Sequence, residues 1–128
     1  MLYETGQKRM DYKLYFGKLE VGTVETYSAA ASDCSGKLLY CDALIRPSSP
    51  EIKLLREFIR LSEDSARLTM LSTTDDAQLA RVNQRLTLFG AYFAPKAWAL
   101  VDATGQRRSI LTPLFCGRND ISWRWEAE

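Results

Sequence analysis

Residues 11–27 read DYKLYFGKLEVGTVETY, and the fold is predicted outward from this stretch. On both sides of Gly17-Lys18, apolar or aromatic residues alternate with polar ones, a period of two that indicates β-strands with one buried face. Gly17-Lys18 itself has the Gly-X form of a two-residue hairpin turn. The second strand is expected to place Leu19, Val21 and Thr23 on one face. The stretch therefore predicts an antiparallel hairpin.

The strongest helix signal lies in PSSPE at positions 47–51. Ser48 and Glu51 have the spacing of a capping box, or alternatively Ser49 caps a helix that has Pro50 at its first position. In the residues that follow, apolar side chains fill one half of a helical wheel and charged side chains fill the other. This pattern predicts an amphipathic helix that lies on the core.

The elements around this helix are predicted from shorter signals. Residues 28–36 are small and polar, which indicates a loop, and residues 37–42 are typical of a third strand. Residues 62–74 fit either an extension of the first helix or an irregular connection. A second helix is expected from about 74–75, with Gly90 as its C-terminal cap. Its predicted cap pairs Asp75 with Gln78, and its apolar stripe consists of Leu79, Val82, Leu86 and Phe89.

The strand pattern returns three times near the C-terminus, at 98–102, at 108–115 and from Ile121 onward. Pro113 lacks a backbone donor, so its strand is expected to lie at an edge of the sheet or to be bulged there. The sequence therefore predicts an α+β fold with two helices packed on one face of a mainly antiparallel sheet. This sheet has five to six strands, and the elements follow the order β-β-β-α-α-β-β-β.

Composition and charge narrow the class of protein. With 128 residues and 14.6 kDa the chain fits one domain, expected over 10–128 and preceded by a loose arm at 1–9. Seventeen basic and sixteen acidic residues give a net charge of +1, which argues against a nucleic-acid partner. The longest apolar run, AWALV at 97–101, is far too short to cross a bilayer, so no membrane partner is expected.

The chain contains no histidine. Nucleophiles activated by histidine and zinc sites with a histidine ligand are therefore excluded within it, and no catalytic residue, metal ligand or cofactor is assigned. The three cysteines, Cys34, Cys41 and Cys116, include no Cys-x-x-Cys spacing, and the first residues lack an apolar secretory segment. Reduced thiols in a cytoplasmic protein are the simplest interpretation.

Aromatic and arginine side chains are the remaining candidates for a binding site. Trp123 and Trp125 are two residues apart and share one face of the last predicted strand, with Trp98 expected nearby. Such rings form either a platform for a flat ligand or partner, or the core of a small domain. The arginines near the C-terminus fit either an anion site or a solvated sheet face. The candidate binding residues are Trp98, Trp123, Trp125, Tyr92, Phe93, Arg108 and Arg124.

Three short motifs carry a family resemblance. GKLEVGTVE at 17–25, SD at 32–33 followed by GKL, and ISWRW at 121–125 resemble a loose set of small uncharacterised bacterial proteins, some encoded on mobile integron gene cassettes. Those proteins open with a hairpin of G-x-x-V-G-T-V type and end in a strand close to S-W-R-W. This chain departs from them after Asp33, where they have an aromatic residue and a proline. The resemblance implies a compact bacterial α+β domain and carries no catalytic residue over.

Two functions remain open. The first is a non-enzymatic binding protein that uses an aromatic sheet face or an open strand edge to contact a second copy, as a dimer, or another protein. The alternative is a small-molecule-binding protein with an aromatic pocket between helices and sheet, a class that includes a histidine-free enzyme. The expected lining of that pocket is Phe89, Tyr92, Phe93, Trp98, Trp123 and Trp125.

Overall fold

The hairpin predicted at residues 11–27 begins one antiparallel sheet in an α+β fold. The computed structural model describes residues 11–29, 34–70 and 76–127, and within these ranges the sheet has seven strands. The strands are β1 (Asp11–Phe16), β2 (Leu19–Ala29), β3 (Cys34–Tyr40), β4 (Trp98–Val101), β5 (Arg107–Ile110), β6 (Leu114–Gly117) and β7 (Asp120–Trp123). The helices are α1 (Asp42–Ile45), α2 (Pro50–Met70) and α3 (Asp76–Leu86), and a 3₁₀ helix spans Thr87–Phe93.

The strand order across the sheet is β5-β4-β1-β2-β3-β7-β6, and every neighbouring pair is antiparallel. The sheet curls until β5 meets the chain beyond β7, where Ile110 and Trp125 form an antiparallel bridge. At the other end β6 lies against α2, and the Phe115 N–H donates a hydrogen bond of 3.4 Å to Ser62 Oγ. The chain itself therefore contacts both edges of the described sheet, at Ile110 of β5 and at Phe115 of β6.

The long helix α2 forms where its start signal predicts. The Ile52 N–H donates to Ser49 Oγ at 3.2 Å, so Ser49 is the cap and Pro50 is the first helical residue. The helix continues to Met70, which resolves the ambiguous stretch after residue 62 in favour of helix as far as that residue. Among the described residues, no helix is both long and apolar enough to cross a membrane.

The core lies between α2 and one face of the sheet. The helix contributes buried apolar residues that pack against buried residues from most of the strands. The core residues are Leu14, Val21, Val24, Cys34, Leu38, Leu44, Leu55, Phe58, Ile59, Trp98, Leu100, Ile110, Phe115, Ile121 and Trp123.

A β-bulge changes the side-chain pattern of β2. Opposite β1, the pairing steps from Gly22 to Glu20 and leaves Val21 without a direct partner. Val21 and Val24 are consequently both buried, whereas simple alternation predicted Thr23 on the buried face. That prediction was wrong. A side chain at Gly22 has no room, because a Cβ there would overlap the backbone carbonyl of Leu39.

The structure confirms an antiparallel α+β fold and corrects several elements within it. The single strand predicted at 108–115 is two strands, β5 and β6, at opposite ends of the sheet order, because the chain is interrupted before Leu114. Buried Pro113, which cannot donate to a strand ladder, lies at that interruption. This split raises the strand count from the predicted five to six to seven. The short helix α1 was not predicted.

The predicted second helix is present but shorter than expected. α3 ends at Leu86, and Gly90 lies inside the 3₁₀ helix instead of capping α3. The predicted loop at 28–36 is strand at both ends, since β2 runs to Ala29 and β3 starts at Cys34. The predicted cap at Asp75, the middle of that loop and the expected arm at 1–9 lie outside the described residues.

Candidate functional site

The aromatic residues predicted as one pocket lie in two separate groups. In the first group, rings from the 3₁₀ helix surround Phe58 of α2, with Tyr92 stacked at 4.7 Å between ring centroids and Phe93 edge-on at 5.4 Å. Trp98 is fully buried beside them, and its Nε1 donates to the Tyr92 carbonyl at 2.7 Å. Phe89 belongs to the same group, 5.8 Å from Phe58. Phe58 and Trp98 are buried core side chains, Phe89 and Tyr92 are half-buried against them, and Phe93 is exposed at the edge of the group.

The second group lies around Trp125, near the C-terminus. Trp123 and Tyr12 meet this ring at 6.4 and 5.8 Å between centroids, and the Arg108 guanidinium lies 4.2 Å from its centroid in a cation–π contact. Trp123 is only 4% exposed, so it is a core residue. Arg124 is exposed on the surface. The structure therefore brings Trp123, Trp125 and Arg108 together, apart from the Trp98 group, and the six expected rings line no common pocket.

The two buried tryptophans differ in their polar contacts. The Trp98 indole N–H has an acceptor, whereas the buried Trp123 Nε1 has no hydrogen-bond partner among the described residues. The local excess of arginine does not form one patch either. Arg107 lies over the Tyr15 ring on the outer face of the sheet and donates to the Gly17 carbonyl at 2.9 Å. Arg107 and Arg108 therefore contact different aromatic rings.

A cleft of about 590 Å³ lies instead between α2 and one end of the sheet. Its walls come from α2, from α1 and the residues after it, from the end of β3 and from the β6–β7 turn. We call it the α2 cleft. It is lined by Tyr40, Leu44, Ile45, Pro47, Lys53, Arg56, Glu57, Ile59, Arg60, Glu63, Arg118 and Asn119. Buried Leu44 and Ile59 form an apolar floor, and the cationic side chains are exposed at its rim.

The β6–β7 turn presents Arg118 to this cleft from an unusual backbone conformation. Gly117 pairs with Asp120, so Arg118 and Asn119 are the two central residues of the hairpin loop. Their φ angles are +54° and +66°, as a type I′ turn requires. Glycine and asparagine tolerate this region, but an arginine there is strained. The turn is fixed to β3, whose Leu38 N–H donates to the Asn119 carbonyl at 2.7 Å.

Two of the four cations that line the cleft already have partners. The Glu57 carboxylate binds Arg60 at 2.7 Å and, outside the lining, Arg85 at 2.8 Å. Arg56 Nη1 donates to the Ile45 carbonyl at 3.3 Å. Within the described part of the chain, the side chains of Lys53 and Arg118 have neither an ion pair nor a hydrogen bond. The cleft therefore offers two unpaired positive charges beside an apolar floor.

Deeper in the cleft, β3 and α2 are joined by a phenol and a carboxyl group. The Tyr40 hydroxyl donates to Glu63 Oε2 at 3.4 Å. Burial raises the pKa of Tyr40, and the Glu63 charge raises it further. Burial also raises the pKa of Glu63, although the hydrogen bond from Tyr40 opposes the change. Burial is the main cause that raises the pKa of Cys116 in β6, and the nearby Glu63 charge also raises it.

These shifts show which chemistry the cleft favours. A nucleophilic thiol or phenol needs a lowered pKa, whereas the pKa values of Cys116 and Tyr40 are both raised. The pKa of Glu63 is raised, and a raised pKa keeps a carboxyl group protonated up to a higher pH. Within the residues that the structure describes, no group of three side chains could hold a metal ion. The cleft thus combines exposed cations and an apolar floor with one carboxyl group whose pKa is raised.

A second cavity, the apolar groove, has a volume of about 540 Å³ and lies beside the 3₁₀ helix. It is lined by Phe58, Ser62, Ser65, Leu86, Phe93, Ala94, Pro95, Leu111, Thr112, Pro113, Leu114 and Glu126. Several of its polar atoms are used within the chain. Ser65 Oγ donates to Asn83 Oδ1 at 3.0 Å, and Glu126 Oε1 accepts from the Lys96 N–H at 3.0 Å. The groove therefore presents mainly apolar surface.

Sequence reasoning named Phe93, Trp125 and Arg108 as candidate binding residues, but it did not predict the contact between Trp125 and Arg108, and it missed the α2 cleft. Its helical residues Lys53, Arg56 and Glu63 have the ordinary appearance of a solvated helix face. The one signal that distinguishes the cleft in the sequence is Arg118, at a turn position where glycine or asparagine is preferred.

Comparisons of this chain with protein-family models, with curated proteins and with solved structures found no match. The resemblance to small bacterial cassette-encoded proteins therefore stays a prediction, and the function is argued from the site alone.

Proposed function

We propose that this chain is a small-molecule-binding protein that holds a small anion in the α2 cleft. The observation that carries the proposal is Arg118, a residue of the cleft lining whose backbone has a φ of +54°. A left-handed conformation costs an ordinary residue about 1–2 kcal/mol, and such strain persists mainly where a functional site uses the residue. A glycine or asparagine would make the same turn without that cost.

The charges of the cleft define the ligand. Lys53 approaches from α2 and Arg118 from the β6–β7 turn, so an anion between them gains two favourable interactions at once. Among the residues that the structure describes, neither cation has an acidic partner that a ligand must displace. A volume of about 590 Å³ suits a molecule of metabolite size. Binding is favoured over catalysis because the candidate nucleophiles have raised pKa values.

The test is a titration of the protein with benzenesulfonate, followed by amide chemical shifts in NMR spectra. We expect saturable shifts at Arg118, Asn119 and Tyr40, which belong to the cleft. Lys53→Gln should weaken binding roughly three- to tenfold, in line with one partly exposed charged contact. Lys13→Gln, on the outer face of the sheet, is the matched control and should leave the affinity unchanged. Shifts that do not saturate, or that map to other surfaces, would contradict the proposal.

A second candidate function, contact with another copy of the chain, is favoured by the apolar groove. Phe93, Leu111 and Leu114 line it and are about half exposed, at 52%, 48% and 50%. Exposed apolar side chains grouped around a concavity are typical of an interface, and a net charge of +1 opposes self-association little. We therefore place the proposed dimer contact at this groove and not at an open sheet edge, because the chain itself contacts both edges of the described sheet.

Sedimentation equilibrium tests this candidate. We expect a concentration-dependent dimer that Leu114→Lys dissociates, because the new charge would be buried in the contact. Leu39→Lys is the control, since Leu39 is equally exposed at 48% but lies on β3 outside the groove. A monomer at all concentrations, or equal dissociation by both variants, would refute the groove as a dimer interface.

A further inference from the structure

We propose, on the basis of the function proposed above, that the ligand is an organic acid with an apolar body. It is held as an anion by Lys53 and Arg118 and packs against the Glu63 carboxyl, which accepts a hydrogen bond from Tyr40. The lining of the cleft has a cationic part and an apolar part, as the binding of such a molecule requires. Two unpaired cations lie at the exposed rim, aliphatic side chains form the floor, and the Tyr40–Glu63 pair is the polar group between sheet and helix.

The apolar floor of the cleft indicates that the ligand has an apolar part. Leu44 and Ile59 are 3% and 4% exposed, and Pro47 and the Tyr40 ring extend this surface. An inorganic anion gains nothing from such a surface, whereas each buried CH₂ group of an organic acid contributes about 0.8 kcal/mol. The cleft should therefore prefer an anion that carries a hydrocarbon or aromatic part.

Within the described residues, Glu63 is the acid of the cleft that forms no ion pair. The carboxylate of Glu57 has two arginine partners, whereas the partner found for Glu63 in the same part of the chain is the Tyr40 hydroxyl. The charged and titratable groups around Glu63 are Tyr40 from β3, Cys116 from β6 and Arg118 from the turn, and on α2 they are Lys53, Arg56, Glu57, Arg60 and Asp64. Asp64 is held by Arg67 at 3.5 Å and repels a charged Glu63.

Binding and protonation are coupled through this carboxyl group. A ligand that covers Glu63 removes water from it and brings a negative charge into the same cleft, and both effects favour its neutral form. The pKa of Glu63, already raised by burial, rises further in the complex. A group whose pKa rises on binding takes up a proton, so affinity increases as the pH falls from the bound pKa toward the free one. The protein should therefore bind its organic anion more tightly in mildly acid solution.

Two probes and three variants test this inference. Benzenesulfonate and methanesulfonate share an anionic group that does not titrate between about pH 5 and pH 8, and they differ in apolar body. We expect benzenesulfonate to bind at least roughly tenfold more tightly, and its Kd to rise with pH by up to tenfold per unit. Glu63→Gln, which imitates the neutral carboxyl, should bind tightly at every pH. Glu57→Gln, which removes a paired acid from the same cleft, should keep the pH dependence.

The outcomes separate this inference from the function on which it rests. If both sulfonates bind equally, or if the wild-type Kd does not change with pH, the organic-acid assignment is wrong although anion binding stands. If Glu63→Gln binds more weakly than the wild-type protein at high pH, the neutral carboxyl is not part of the site. If neither sulfonate binds at any pH, the proposed function itself fails.

Discussion

The Tyr40 hydroxyl and Glu63 Oε2 are 3.4 Å apart at the point where β3 faces α2. This contact joins a sheet residue to a helix residue 23 positions later in the chain. It places an acid with a raised pKa inside a cleft whose rim carries two unpaired cations. Each part of this arrangement can be changed separately.

Tyr40→Phe removes the hydroxyl and keeps the ring. Since the hydrogen bond from Tyr40 lowers the pKa of Glu63, we expect this pKa to rise further in the variant. The lost contact should also reduce the free energy of unfolding by about 1 kcal/mol. Carbon-detected NMR titration of the Glu63 carboxyl gives the pKa, and urea unfolding gives the stability. A lower or unchanged pKa would show that the two groups do not interact in solution.

Glu63→Gln should stabilise the protein at neutral pH, with a gain of at most about 1 kcal/mol because solvent screens a partly buried charge. Burial raises the pKa of Glu63 in the folded state, so the folded protein disfavours the charged form. The gain is complete above this raised pKa, decreases as the pH falls through it, and vanishes below the ordinary glutamate value. Urea unfolding at several pH values measures it. A gain that grows toward acid pH would have the wrong sign.

Trp98→Phe and Trp123→Phe compare two buried indoles. Trp98 loses its hydrogen bond to the Tyr92 carbonyl, whereas Trp123 loses a buried N–H that has no acceptor. Both variants leave a cavity, so both destabilise, but Trp98→Phe should cost about 1 kcal/mol more in free energy of unfolding. Urea unfolding of the pair decides the order. An equal or larger cost at Trp123 would mean that its indole N–H is satisfied in solution.

Gly22→Ala tests the close approach of β2 and β3. A Cβ at this position overlaps the backbone of Leu39, so the strands must move apart, at a cost of about 1–3 kcal/mol. Gly90→Ala is the control, because nothing lies within 4 Å of the added atom. It should be neutral or stabilising. Thermal unfolding of both variants gives the comparison. If Gly22→Ala leaves the stability unchanged, β2 and β3 do not approach each other this closely at Gly22.

Local signals in the sequence predicted the elements that depend on local chemistry. The turn at Gly17, the Ser49 cap and the amphipathic face of α2 all formed as expected, because each depends on residues within a few positions. The bulge at Val21 was missed, since only pairing with β1 reveals it. Pro113 was expected to lie in an edge strand or at a bulge. In the structure the chain passes near Pro113 from β5 at one end of the strand order to β6 at the other end.

The candidate site depended on contacts between distant parts of the chain. Lys53 and Arg118 line one cleft although 65 positions separate them, and neither belongs to a motif of metal or catalytic spacing. The aromatic residues attracted attention in the sequence because they are large and regularly spaced. Trp98 and Trp123 proved to fill the core, which is the usual role of such side chains in a small domain.

The most direct test of the anion cleft is the comparison of Arg118→Gly with Lys96→Gly. Both residues have a left-handed backbone, with φ of +54° and +62°, but only Arg118 lines the cleft. Each variant should unfold with an unchanged free energy or one higher by up to about 1 kcal/mol, because glycine relieves the strain.

Binding of benzenesulfonate should then separate the two variants. We expect Arg118→Gly to raise the Kd roughly five- to tenfold while its stability is retained, and Lys96→Gly to bind like the wild-type protein. That result would mean that the strained arginine is kept for an anion. Unchanged affinity in Arg118→Gly, or equal loss in both variants, would contradict the central claim that the α2 cleft is an anion-binding site.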